Sequence, residues 1–360
     1  MSLQELQECI AVDGAMGEGG GQILRASLAL SMALGKPFCM ERIRARREKP
    51  GLKRQHLACV KACAQICQAK VEGDEMHSTS LSFAPGPVQA GCWHFAVGTG
   101  GSAMLVLQAV LPPLLFAGKP SSVAVEGGTH VAYAPPFEFM AESLFPWLWR
   151  MGARCQAKLV RAGYMHSGGG RVELAIEPCR AQRPFEALPF GDFEGASASI
   201  YGHGLPEGVL GREIGTLLAR GEALGLARER ICLHTGPCGA ERSVPDGAGN
   251  MVLVSLAHGG LHTVFAECGW RGRSAEAVAG HACARALAYL KSGADAESCL
   301  ADQLLVPLAL AGGGSFTAQR LTSHAATCLK VLELFTGRRA RVEKTKGRVA
   351  VSVPCAGKEE

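Results

Sequence analysis

One order of elements recurs along this chain, and it constrains the fold more than any single motif. Helix, strand, helix, strand, strand follow one another at about residues 19–84, again at 102–178 and again at 300–354. The first pass runs through GGQILRASLALSMALG, CMERIRA, HLACVKACAQICQA, KVEGDE and SLSFAPG. The second runs through SAMLVLQAVLPPLLF, SVAVEGG, FEFMAESLFPWLWRM, RCQAKLV and RVELAIEP. The third uses LADQLLVPLALA, SFTAQRL, SHAATCLKVLELFTG, RARVEKTK and RVAVSVP. ECIAVDGA and HFAVG read as strands leading into the first two passes. The first two passes start about 80 residues apart and the last two about 200, so roughly 110 residues are inserted. The expected fold is therefore α/β (α+β). Residues 1–185 and 295–360 would form a large domain of three βαβαββ-type units, with 186–294 a smaller inserted α/β domain.

Composition narrows the class further. Hydrophobic residues make up 48% of the 360 and charged residues 19%, which excludes a disordered chain. Forty-six residues are glycine, roughly one in eight against a usual ~7%, without the period of collagen. These glycines mark turns or close backbone approaches. The N-terminal segment lacks a basic stretch followed by an apolar one, and no apolar run reaches about 18 residues. Fifteen cysteines in so large a chain then suggest a cytoplasmic protein with reduced thiols rather than a disulfide framework.

Several familiar chemistries are missing. There is no GxxxxGK[ST] and no GxGxxG between a strand and a helix. Cys59, Cys63 and Cys67 share one helical face, where core packing is the commoner role than metal binding. His258 and His262 flank a Gly-Gly turn and make an improbable metal pair.

Three segments carry more. In DGAMGEGGGQILR, residues 13–25, three successive glycines open a helix. Backbone amides there suit an anion, and Glu18 suits a hard divalent cation; an ordinary strand-to-helix turn has the same outline. In RIRARREKPGLKRQH, residues 42–56, seven of fifteen side chains are Lys or Arg. A solvated face explains most charge runs, but this one interrupts a core unit just after the glycine helix. That position favours a polyphosphate or RNA-backbone site. In TSHAATC, Thr322 or Ser323 would cap a helix whose first turn holds His324. A helix N-terminus lowers a histidine's pKa, which would leave His324 a neutral base or nucleophile, unless it simply packs at the cap.

DGAMGEGGGQILR followed by RIRARREKPGLKRQHL resembles the N-terminal motifs of the RNA 3′-terminal phosphate cyclases. GTGGSAMLVLQAVLPPLLFA, LADQLLVPLALAGGGSFT and TSHAATC match later motifs in the same order, from about residue 10 to 352. The resemblance implies the triplicated fold with its insertion, and an ATP-dependent conversion of an RNA 3′-phosphate to a 2′,3′-cyclic phosphate. It implies that His324 takes AMP from ATP, that the AMP passes to the RNA end, and that the vicinal 2′-hydroxyl expels it. Glu18 matches the acidic residue near a divalent metal (Mg2+ or Mn2+). Arg25, Arg44, Arg47, Gln55 and His56 match polar residues around the phosphates. Gln108 matches a nucleotide-contacting glutamine, and Cys299, Leu300, Ala301, Asp302 and Gln303 match the segment lining the nucleotide pocket. The implied partners are ATP and RNA with a 3′-terminal phosphate, with no membrane; a homo-oligomer is left open.

Arg46 is an additional base in the arginine motif, and three further places depart from the family pattern. His130, Val131 and Ala132 stand where an Asp-Asn-Pro-like run is common. His166 replaces a usual proline, and Cys299 stands where an aromatic often occurs. A non-catalytic RNA-binding relative and an enolpyruvyl transferase are the competing classes. The intact Glu18, arginine and His324 set favours the cyclase.

Overall fold

The computed structural model describes residues 9–356 except 166, 180–183, 188–189, 237–238, 240–246 and 346. His166 lies outside the described residues.

Three four-stranded sheets share one topology. The first unit comprises β1 (Ile10–Asp13), α1 (Gly21–Leu34), β2 (Phe38–Glu41), α2 (Arg54–Cys67), β3 (Lys70–Glu72) and β4 (Leu81–Ala84). The second comprises β5 (Cys92–Ala96), α3 (Ala103–Leu114), β6 (Ser121–Gly127), a π-helix (Phe139–Leu144) running into α4 (Phe145–Arg150), β7 (Arg154–Arg161) and β8 (Gly170–Glu177). In both, the first two strands pair in parallel and the last two close the sheet antiparallel, in the order first-second-fourth-third.

The third unit is split. Its first strand is β9, only Phe185–Glu186, and it pairs in parallel with β14 (Gly314–Ala318). Between them come β10 (Phe193–His203), α5 (Val209–Gly221), β11 (Ile231–His234), β12 (Gly249–His258), β13 (Leu261–Cys268) and α6 (Ala275–Ser292). The unit resumes with α7 (Ser298–Ala311), then β14, α8 (Ser323–Thr336), β15 (Arg341–Thr345) and β16 (Arg348–Val353). The intervening strands form their own sheet, ordered β11-β10-β12-β13. Its inner face packs on α5 and α6 through a separate core that includes Ile200, Leu217, Val254, Phe265, Ala282 and Tyr289.

The first helices of the three units, α1, α3 and α7, touch one another at the centre of the main core. Apolar residues surround each of them, as expected for helices with no solvent face. Cys59, Cys63 and Cys67 are buried in the same core. The expectation of uniformly reduced thiols needs one correction, because Cys9 is bonded to Cys39. The parallel register that sets Ile10 beside Phe38 brings the Cα atoms of Cys9 and Cys39 to 6.0 Å, within disulfide reach.

Candidate active site

The polar residues that interrupt the three central helices meet one another. Arg25 of α1 donates from Nε to Gln108 Oε1 of α3 at 2.8 Å, and Gln108 Nε2 donates to Gln303 Oε1 of α7. Arg25 Nη2 also donates to Gln22 Oε1 at 2.9 Å. Each unit thus contributes one member of a chain that satisfies a buried guanidinium, which would otherwise be costly to hold there.

The glycine loop before α1 docks on α8. Gly17 has φ +58°, and a Cβ there would collide with Thr327 Oγ1; the Glu18 N–H donates to that hydroxyl at 3.3 Å. This holds Glu18 between a guanidinium and an imidazole: Arg47 Nη2 lies 2.6 Å from Oε2 and His324 Nδ1 3.4 Å from Oε1. Burial pulls the Glu18 carboxyl up. The His324 hydrogen bond and the charges of His324, Arg47 and Arg25 outweigh it, leaving the carboxyl below its ordinary value.

His324 is the second residue of α8. Thr322 caps the helix, its hydroxyl accepting from the Ala325 N–H at 3.0 Å and donating to Asp302 Oδ1 at 2.7 Å. The helix terminus was expected to lower the His324 pKa, and the structure corrects this. The hydrogen bond to Glu18 raises it; burial and Arg25 oppose, while the Glu18 and Asp302 charges add to the rise. A carboxylate in contact outweighs a partial helix charge. Burial pushes Asp302 itself up to about 7, against the Thr322 hydrogen bond and the His324 charge.

His56, in the first turn of α2, behaves oppositely. Its Nδ1 accepts the Lys53 N–H at 3.1 Å, so the ring proton sits on Nε2. Burial, then the charges of Arg25, Arg44 and Lys53, depress its pKa to about 3. The Nε2 edge faces Gly21, where a Cβ would lie 2.7 Å from it and 2.9 Å from Arg25 Nη1. Gln55 is turned toward the second unit, its Oε1 accepting the Ser102 N–H at the start of α3 at 2.9 Å.

The basic segment does not present its charges as one face. Strand β2 ends at Glu41, and Arg42 and Arg44 both take positive φ in the loop that follows. Arg42 pairs with Asp13, while Arg44 Nη1 donates to its own loop at Lys49 O (2.7 Å) and Gly51 O (2.9 Å). Arg44 therefore braces the loop that carries Arg47 to Glu18.

Arg25, Gln108, Asp302, Gln303 and His324 line one cavity of about 390 Å3. Cys299 joins them from the same face of α7. Leu300 and Ala301, expected to line the pocket, are fully buried in the main core instead, because they occupy the opposite face of the helix. The far wall comes from Tyr133, Pro135 and Pro136 of the second unit, from Glu267 of the inserted sheet, and from Trp270 and Arg273 of the loop that follows it. Sequence reasoning missed most of these. The usable signal was Trp270, one of four tryptophans, set among arginines and glycines in CGWRGRS. His130 is not in this cavity; it is buried, with Nδ1 2.8 Å from Thr129 Oγ1 and Nε2 3.0 Å from Glu138, which also accepts from Tyr201 OH at 2.6 Å.

Fixed guanidiniums and an imidazole at a helix start share one cavity, and with the glycine loop beside His324 they make a site suited to phosphoryl or nucleotidyl transfer. Residues 16–342 match the model of the RNA 3′-terminal phosphate cyclase family, and the chain belongs to that family. It is 44% identical over 346 residues to an RNA 3′-terminal phosphate cyclase of Koribacter versatilis, covering 95% of each chain. It is 45% identical over 332 residues to that of Ralstonia nicotianae, covering 91% of each. It is 43% identical over 344 residues to that of Salmonella enteritidis, covering 96% of this chain and 98% of the relative. Among solved structures, the enolpyruvyl transferase NikO from Streptomyces tendae aligns at a TM-score of 0.38 and 12% identity, over 97% of this chain and 49% of that one. Among the described residues, no helix is long and apolar enough to cross a membrane.

Proposed function

We propose that this chain uses ATP to convert an RNA 3′-phosphate to a 2′,3′-cyclic phosphate through an AMP–His324 intermediate. The observation that carries the reading is that Arg25 of the first unit and His324 of the third line one cavity, with Glu18 of the first unit 3.4 Å from His324 Nδ1. The Glu18 contact draws the imidazole proton to Nδ1, which leaves the Nε2 lone pair for attack. His324 Nε2 bonds to the α-phosphorus of ATP as the bond to the pyrophosphate oxygen breaks. Arg25, Arg47 and the His56 Nε2–H stabilise the charge on the phosphates. An oxygen of the RNA 3′-phosphate then attacks the same phosphorus and the P–N bond breaks. The vicinal 2′-hydroxyl, close by covalent geometry, attacks the RNA phosphorus; AMP leaves and the hydroxyl proton passes to solvent. Gln108, Cys299, Asp302 and Gln303 hold the nucleoside part of ATP.

A divalent metal fits Glu18. Its Oε1 is a buried carboxylate oxygen met only by the long 3.4 Å contact from His324 Nδ1, and hard cations such as Mg2+ take few protein ligands when phosphates supply the rest. Among the described residues no group of three or more acidic, histidine or cysteine side chains gathers to hold a metal alone. Once bound there, the ion would neutralise charge on the triphosphate. Residues 1–185 and 295–360 serve as the catalytic domain and 186–294 as an inserted domain, a division supported by the separate core beneath the inserted sheet.

Incubation with ATP, a divalent metal and a 3′-phosphorylated RNA is expected to yield a phosphatase-resistant cyclic end, and His324→Ala to abolish it. A wild-type reaction that leaves the end sensitive to phosphatase overturns the reading.

A further inference from the structure

A second cavity, of about 980 Å3, adjoins the first. The two share Ala132, Tyr133, Cys268, Trp270 and Arg273, so the Tyr133–Trp270 pair stands on the boundary between them. These rings lie 6.5 Å apart and 28° from parallel. Both show open aromatic surface: Tyr133 is 94% exposed and Trp270 44%, and Tyr133 holds a left-handed backbone with φ +62°. An exposed aromatic kept in a costly conformation between two cavities calls for a stacking partner.

The wall of the second cavity contains an unmet polar group. Glu213 of α5 is fully buried, Asn250 Nδ2 donates to its Oε2 at 3.2 Å, and its Oε1 has no hydrogen-bond partner. Such an orphan is costly unless an occupant of the cavity donates to it. Burial holds the Glu213 carboxyl up at about 7, in keeping with a site that favours a neutral, hydrogen-bonding partner over an ion. Arg212 and Arg271 sit on the same cavity and suit a phosphodiester.

We propose that this second cavity seats the 3′-terminal nucleoside of the RNA, its base stacked on the Tyr133–Trp270 pair and an N–H of its edge donated to Glu213 Oε1. The assignment rests on the cyclase reading. It also gives the inserted segment a definite role. The first cavity holds the adenylate donor, and the second presents the RNA end to it across a shared aromatic wall.

The test measures binding of a short oligoribonucleotide ending in a 3′-phosphate by fluorescence anisotropy, against the same strand with an abasic terminal nucleoside. Wild type is expected to bind the abasic strand about tenfold more weakly. Glu213→Leu, and independently Val209→Trp, which fills the cavity while keeping Glu213, are expected to bind both strands with the same weakened affinity. Equal binding of the two strands by wild type, or wild-type discrimination retained in both variants, overturns the assignment. Labelling of the same wild-type preparation by ATP carrying a labelled α-phosphate separates the two ideas. Its absence defeats the cyclase reading, and its presence with no base effect defeats only the second cavity.

Discussion

His56 and His324 occupy equivalent places, each in the first turn of the second helix of its unit, and they have opposite proton chemistry. His56 is buried beside Arg25 and Arg44, gives up its Nδ1 to a backbone amide, and stays neutral down to about pH 3. His324 is about half exposed and faces a carboxylate that lifts its pKa. A repeated scaffold thus delivers two imidazoles to one loop, and their neighbours alone make one a fixed N–H donor and the other a titrating imidazole.

The sharpest way to break this comparison is to crowd the donor. Gly21→Ala puts a methyl against His56 Nε2 and Arg25 Nη1. Both displaced atoms are side-chain ends, so the fold should survive, while kcat for cyclisation should fall by about 10²–10³. A loss of folding, read by circular dichroism, would contradict this. His56→Ala comes next: removing one donor should lower kcat by about 10² with KM for RNA little changed. An equal rise in KM would make His56 a ground-state binder instead.

Proton titration sharpens the contrast without any turnover. In the metal-free protein, imidazole NMR should show His324 titrating above 6.5 and shifting down in Glu18→Gln, while His56 stays neutral until about pH 3. The signs for stability are opposite. The Glu18–His324 contribution is present below the unfolded pKa and lost as pH rises through the raised value; that of His56 is present above about 6.5 and lost as pH falls toward 3. The smallest effect concerns the caps. Thr322→Ala removes a side-chain cap and should cost about 1 kcal/mol in chemical denaturation. Lys53→Ala should cost much less, because His56 Nδ1 is held by the Lys53 backbone amide.

Local patterns made the first two units, the helices of the third and the Glu18 and His324 motifs readable from sequence. What escaped reading depended on partners far along the chain. β9 is two residues long and becomes a strand only by pairing with Gly314 and Ser315, so the third unit seemed to start at a helix. Arg44 looked like a phosphate ligand because a charge count carries no direction, and a positive φ turns its guanidinium onto carbonyls of its own loop. Thr327, Tyr133 and Trp270 reach the site from three distant segments. Leu300 and Ala301 were the avoidable error: helical periodicity already sets 299, 302 and 303 on one face and those two on the other.

The central claim is that His324, and not its counterpart His56, carries the nucleotide. Peptide mapping of the protein after incubation with ATP and a divalent metal tests this most directly. The account predicts an acid-labile AMP adduct on the peptide containing His324, unchanged in site by His56→Asn. An adduct on the His56 peptide, or on a lysine, would contradict it.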